Sequence, residues 1–169
     1  RRHKPGRGFE HAFFEFDLLG NYGIYRDLHR HRVMTQQKQL LSTFNGYDSP
    51  SELKELGLEE KYDSLMKKSD KLFRQIHQKM PQAAQYIVPF GYRIRWAVNI
   101  NARELYHLIE LRSTPQGHPD YRRMVIKMFE EAKAVQPELM SAMKFVQTQD
   151  VELERLEAEK MTDKKIDEV

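Results

Sequence analysis

A mixed α/β (α+β) chain, in which a small sheet packs against long helices, is the fold class this sequence predicts, on two kinds of periodicity. Two segments alternate apolar and polar residues with the period of a strand, while the other patterned segments repeat apolar residues at helical spacing. No internal repeat interrupts that pattern.

Residues 9 to 19 set Ala12, Phe14, Phe16 and Leu18 on one side and Phe13, Glu15 and Asp17 on the other, so a strand is expected there, ended by Gly20. From Asn21 the spacing of Ile24 and Leu28 fits a helix whose polar side carries His29, Arg30, His31 and Arg32. Polar residues take over from Thr35 to Gln39, and Asn45-Gly46 with Ser49-Pro50 marks an exposed loop. Ser51 has the chemistry of a helix cap. Leu58, Tyr62, Leu65, Leu72, Ile76 and Met80 then predict one long amphipathic helix ended by Pro81.

After Pro89, Tyr92, Ile94, Trp96, Val98 and Ile100 alternate with Arg93, Arg95, Ala97 and Asn99, a second strand with one apolar and one polar face. Asn101 followed by Glu104 has capping-box spacing, and Leu105, Leu108 and Ile109 continue a helix to about Arg112. Beyond the loop Ser113 to Gly117, Pro119 opens a helix with Met124, Val125, Met128, Phe129 and Ala132 inward, and Pro137 starts a short one. Residues 1–146 are expected to form the domain, and 147–169 a charged acidic tail, frayed or an independent helix, with no core role.

The 169 residues suit one domain of ordinary size, so a multidomain machine is not expected. A hydrophobic share of 40% and an aromatic share of 11% supply a core. No apolar run approaches the ~20 residues of a membrane helix, nor does a signal peptide open the chain, so a cytoplasmic protein without membrane partners is expected. With no cysteine, disulfides, thiolate metal sites and a cysteine nucleophile are excluded. Residues 147–169 hold eight acids and four bases, which leaves 24 bases against 17 acids in the rest, a surplus suited to an anionic ligand. Arg1 stands where a methionine would open a chain, so a fragment, a processed product or a start not included in this sequence is expected.

Two clusters carry candidate chemistry. His29-Arg30-His31-Arg32 is either a basic helix end that offsets the dipole or, through its paired guanidinium groups, a phosphate site. His29 and His31 are two apart, on different sides of a helix, and no carboxylate or cysteine stands nearby at ligand spacing, so no metal site is expected. The second cluster, Asn101-Ala102-Arg103 with His107 and Arg112, is on spacing alone a cap with surface charges.

Together the two clusters resemble the flavin-dependent thymidylate synthases. Phe9-Glu10-His11-Ala12 with Phe14 and Phe16 is similar to that family's Phe-Glu-His strand, and Arg30-His31-Arg32-x-x-Thr35 to the start of its Arg-His-Arg motif. Asn101-Ala102-Arg103-Glu104-Leu105-x-His107-x-x-x-Leu111-Arg112 resembles its second motif, and the resemblance covers about residues 5 to 146. The Pro5-Gly6-Arg7 start and the loop Ser113 to Pro119 are most like the C-terminal half of members that carry two such domains.

The resemblance implies a homo-oligomer, a tetramer or a tandem-domain dimer, with FAD at subunit interfaces. It implies methylation of dUMP to dTMP, with methylenetetrahydrofolate giving the carbon and NADPH the reducing equivalents. Carried over, Arg30, His31 and Arg32 contact the flavin and its phosphates, Asn101 and Arg103 hold it from another subunit, His107 is a further cofactor-binding residue, and Arg112 is the catalytic cation facing the pyrimidine. Thr35 and Lys38 fall on the substrate side.

The departures lie on that same side. Lys38, Leu40 and Ser42 stand where the family has Glu, Ser and Arg in its nucleotide-binding loop, Gln85 stands where it has an arginine, and Pro5-Gly6-Arg7-Gly8 lacks the family's histidine and threonine. A degraded dUMP loop, with doubtful activity alone, is therefore expected. The alternative is a non-catalytic oligomer scaffold, half of a tandem protein. A nucleic-acid binder rests on charge alone and has no binding motif.

Overall fold

A computed structural model of the chain describes residues 4–149. The tail expected from 147 onward lies almost entirely outside the described residues. In order, the elements are β1 (Phe13–Asn21), α1 (Tyr22–Leu28), β2 (Met34–Lys38), α2 (Glu52–Glu55), α3 (Glu59–His77), α4 (Pro81–Ala84), β3 (Arg93–Asn101), α5 (Ala102–Arg112), α6 (Pro119–Val135) and α7 (Pro137–Ser141). The fold class is the expected α+β: a three-stranded antiparallel sheet in the order β1-β3-β2, with helices. Among the described residues no helix is long and apolar enough to cross a membrane.

The chain forms two compact units, a central one of residues 15–98 and a terminal one made of the residues before and after it, the division falling within β1 and β3. In the central unit the alternation of β3 works as the sequence predicts. Ile94, Trp96 and Val98 are buried, while Arg95 on the other face is exposed. The core also gathers Met66, Phe73, Ala84, Val88 and Tyr92, with Leu41, Tyr47, Tyr62 and Ile76 packed against it. The Tyr92 hydroxyl donates to the Met66 carbonyl at 2.6 Å, so the one polar atom of a buried ring is satisfied by the helix backbone it crosses.

Four local expectations are corrected. Residues 9 to 11 are a 3-10 turn (Arg7–His11) rather than strand, and β1 begins at Phe13 and runs through Gly20 to Asn21. The polar run from Thr35 is β2, an edge strand against β3. An edge strand with little buried side-chain area carries no apolar alternation to betray it.

The single long helix is two. Gly57 at φ +65 closes α2, with Leu58 N–H donating to Leu53 O at 2.8 Å and Gly57 N–H to Lys54 O at 3.2 Å, the paired bonds of a Schellman ending. Ser51 makes no side-chain cap bond, and α3 ends at His77, before Pro81.

The buried stripe of α3 is also displaced. Met66 and Phe73 are inside, while their neighbours Leu65 and Leu72 are 58% and 44% exposed. One residue is about 100° around a helix. The apolar face of α3 is therefore wider than its contact with the core, and Leu58, Leu65 and Leu72 form a ridge left in solvent.

In the terminal unit α5 buries Ala102, Leu105, Tyr106, Leu108 and Ile109, α6 buries Val125, Met128 and Ala132, and α7 buries Met140. Phe9 of the 3-10 turn meets Tyr106 edge-on at 5.5 Å, and the Tyr106 hydroxyl donates to Leu139 O. Arg122 is 4% exposed, and its guanidinium donates to Ser113 O and Gln149 O, each at 3.1 Å. Two carbonyls, one of them at the end of α5, thus accept hydrogen bonds from this buried charge and offset part of the cost of taking it out of water.

Candidate functional site

Asn21 caps α1, its Oδ1 accepting from Ile24 N–H at 3.0 Å, and the helix stops at Leu28. The His29 and His31 amides close its last turn on Tyr25 O (2.9 Å) and Leu28 O (3.1 Å). The four-residue basic cluster thus leaves the helix and does not line its polar side, a correction of the sequence expectation. His29 stacks on Tyr25 at 5.3 Å, and Tyr25 meets Trp96 edge-on at 5.6 Å. Burial pushes the Tyr25 hydroxyl pKa up. His31 is 7% exposed and stands between two exposed arginines. The Arg30 side chain is 65% exposed, with its guanidinium 3.8 Å from Asp27, at the limit of an ion pair.

Thr35 and Lys38 sit on β2, three residues apart, so the strand period turns them to opposite faces. Lys38 lines an open cleft of about 700 Å3 with Glu15, Asp17, Gln37, Gln39 and Arg95. Arg95 Nε donates to Asp17 Oδ1 at 2.8 Å, and this bond holds the Asp17 carboxyl below its ordinary pKa and Arg95 above its own. Beyond Lys38, Leu40 is 49% exposed. Leu41 N–H donates to Gln85 Oε1 at 3.1 Å. An arginine at position 85 has no acceptor and cannot make that bond. Gln85 therefore anchors the backbone of the segment that follows β2.

In the terminal unit, Asn101 Oδ1 accepts from Glu104 N–H at 2.9 Å, the cap that its spacing predicts. Arg103 donates from Nη1 to Glu10 Oε1 at 2.8 Å and from Nε to Pro5 O at 3.1 Å. Hydrogen bonds from Arg7 first, and then from Arg103, hold the Glu10 carboxyl below its ordinary pKa. His107 follows Arg103 by one turn and is exposed. Arg112 is the last residue of α5, about 14 Å along the axis from Arg103. Its guanidinium lies over the Tyr121 ring, 5.4 Å from the centroid.

Arg30, His31 and Arg32 are thus brought onto one turn, and Arg103 and His107 onto one side of one helix. Thr35 is separated from Lys38 by the strand, and Arg112 from Arg103 by the length of α5. Sequence reasoning missed Tyr121 and Arg122. Arg122 had a signal, being a charged residue in phase with the inward Val125 and Ala132. Tyr121 had none beyond its distance from Gly117.

These features define an α+β protein with an exposed arginine pair on a helix-ending turn and a capped helix bearing Arg, His and Arg. The chain belongs to the thymidylate synthase complementing protein family, whose profile matches residues 1–138. It is 45% identical over 159 residues to a UPF0159 protein of Chlamydia muridarum, which covers 94% of this chain and 30% of the relative. A UPF0159 protein of Thermoplasma acidophilum is 41% identical over 161 residues, 94% of this chain and 32% of its own. A flavin-dependent thymidylate synthase of Pyrococcus abyssi is 31% identical over 137 residues, 72% of this chain and 55% of its own. The chain spans about 30% of the length of the first two.

Proposed function

We propose that the chain is a flavin-binding thymidylate synthase-type domain whose nucleotide loop has lost its usual contacts, so that alone it forms little or no dTMP. The observation that carries the reading is the profile match over residues 1–138, which spans both Arg30-His31-Arg32 and the helix from Asn101 to Arg112. The residues suit FAD: Arg30 and Arg32 are exposed guanidinium groups on one short turn, the donor set that a pyrophosphate takes in bidentate fashion. Bound flavin supplies the hydride chemistry that, with methylenetetrahydrofolate and NADPH, turns a transferred methylene into a methyl group.

In this reading Arg30, His31 and Arg32 hold the cofactor, and Asn101, Arg103 and His107 of another subunit complete its site. Arg112 faces the pyrimidine of dUMP and steadies negative charge on the activated base. Lys38 attracts the nucleotide phosphate as a point charge, but Leu40 offers no hydrogen bond and Ser42 no charge where the family has Ser and Arg. Attraction survives better than orientation, and orientation supplies ~7 to 11 kcal/mol of a lowered barrier.

The test adds FAD, methylenetetrahydrofolate and NADPH to the chain with dUMP tritiated at the methylation position. The expected outcome is a yellow, flavin-loaded protein that releases little or no tritium. Turnover near ~10 per second would establish a full synthase. A preparation that stays colourless with added FAD would leave the oligomer scaffold as the function.

A further inference from the structure

We propose that Tyr121 is a positioning residue for Arg112, held in place because residue 117 is a glycine. The inference rests on the role of Arg112 given above and concerns how its guanidinium is kept in one orientation. Arg112 ends α5, and a loop turning on the Gly117 N–H to Thr114 O bond (3.0 Å) leads into α6. Tyr121 lies in the first turn of α6, fixed by Pro119 and by His118 Nδ1 accepting from Asp120 N–H at 3.2 Å.

The ring of Tyr121 meets two neighbours. The Arg112 guanidinium carbon stands over it, 5.4 Å from the centroid. A Cβ built on the buried Gly117 would lie 2.6 Å from Tyr121 Oη, 2.7 Å from Cε2 and 2.9 Å from Cζ. Gly117 does not have a left-handed φ, so its backbone accepts any residue and only the ring requires the missing side chain. The bare backbone is the floor on which the ring rests, and the ring's face is the platform for the cation. A guanidinium lying against a ring face has fewer rotamers open to it, and that confinement lowers the ordering cost when an anionic or polarised ring arrives.

The experiment measures dUMP affinity at saturating FAD by equilibrium dialysis, for the parent chain, Arg112→Ala, Tyr121→Phe, Tyr121→Leu and Gly117→Ala. Tyr121→Leu and Gly117→Ala are expected to weaken dUMP by about twofold to fivefold, the size of an exposed cation–π contact. Tyr121→Phe, which keeps the ring face, is expected to bind as the parent does, and FAD affinity and urea midpoints are expected to hold. In the Arg112→Ala background Tyr121→Leu should have no further effect, which a merely structural role for the ring does not explain. If Arg112→Ala weakens dUMP and neither Tyr121→Leu nor Gly117→Ala does, the positioning role is overturned and that of Arg112 stands. If the parent binds no dUMP, or Arg112→Ala binds as the parent does, the role of Arg112 is overturned and this inference with it.

Discussion

Arg30 and Arg32 stand in solvent on either side of a buried histidine, which leaves their positive charge available to a ligand and ties their backbone to the folded core through His31. A charge-assisted hydrogen bond is worth about 1.5 to 3 kcal/mol, so Arg30→Ala is expected to weaken FAD roughly tenfold to a hundredfold in a flavin titration. Equal affinity would remove Arg30 from the site. Asp17 offers a pH test on the cleft. Its carboxyl lies below the ordinary value because Arg95 bonds to it, so its contribution is full above the unfolded pKa near ~3.9 and fades as pH falls through the lower folded value. The urea midpoint of Asp17→Asn is expected to fall below that of the parent at neutral pH and to converge with it in acid. A difference that persists in acid contradicts this assignment. Of the candidate side chains, Asn101 was legible to the atom, because a cap is local chemistry three residues long. The setting of His29 to Arg32 was not, because whether a helix runs four residues further depends on packing around Tyr25 and Trp96, which lies far away in sequence.

Helices and strands were legible where one face alone meets the core: β3 and α5 bury the residues their periodicity singles out, and α6 buries Val125, Met128 and Ala132 while the expected Met124 and Phe129 are only half-buried. β2 escaped because an edge strand needs only backbone partners, and the 3-10 turn of Arg7–His11 because its residues also satisfy a strand's alternation. The misplaced face of α3 has a different origin. Its apolar arc is broad, and the choice of Met66 and Phe73 over Leu65 and Leu72 is made by Ala84, Val88 and Tyr92. Gly57 was the readable sign of the break between α2 and α3. Its φ of +65 and the open space around it make Gly57→Ala a pure backbone change, expected to cost about 1 to 2 kcal/mol in urea unfolding. Asn101→Ala should cost ~0.5 to 2 kcal/mol through the lost cap, whereas Asn101→Asp keeps the cap, so any flavin weakening in Asn101→Asp reports on the ligand alone.

Over the whole molecule, the 24 bases and 17 acids outside residues 147–169 favour anionic ligands at long range. The arginine turn encloses no dinucleotide by itself, and neither does the Arg–His helix, so FAD occupancy is expected to require self-association. Sedimentation should show species above 20.2 kDa whenever flavin is bound, and dilution should release it. A chain that stays at that mass with full occupancy contradicts the shared site. Trp96 adds a way to watch the process. It is the sole tryptophan, 1% exposed, and its Nε1 has no hydrogen-bond partner among the described residues. An indole in such dry surroundings emits toward the blue, and its light falls where flavins absorb. Every photon of tryptophan fluorescence therefore starts from one ring in the central unit, two aromatic contacts from the turn that carries Arg30, and a flavin arriving nearby dims it without any added dye.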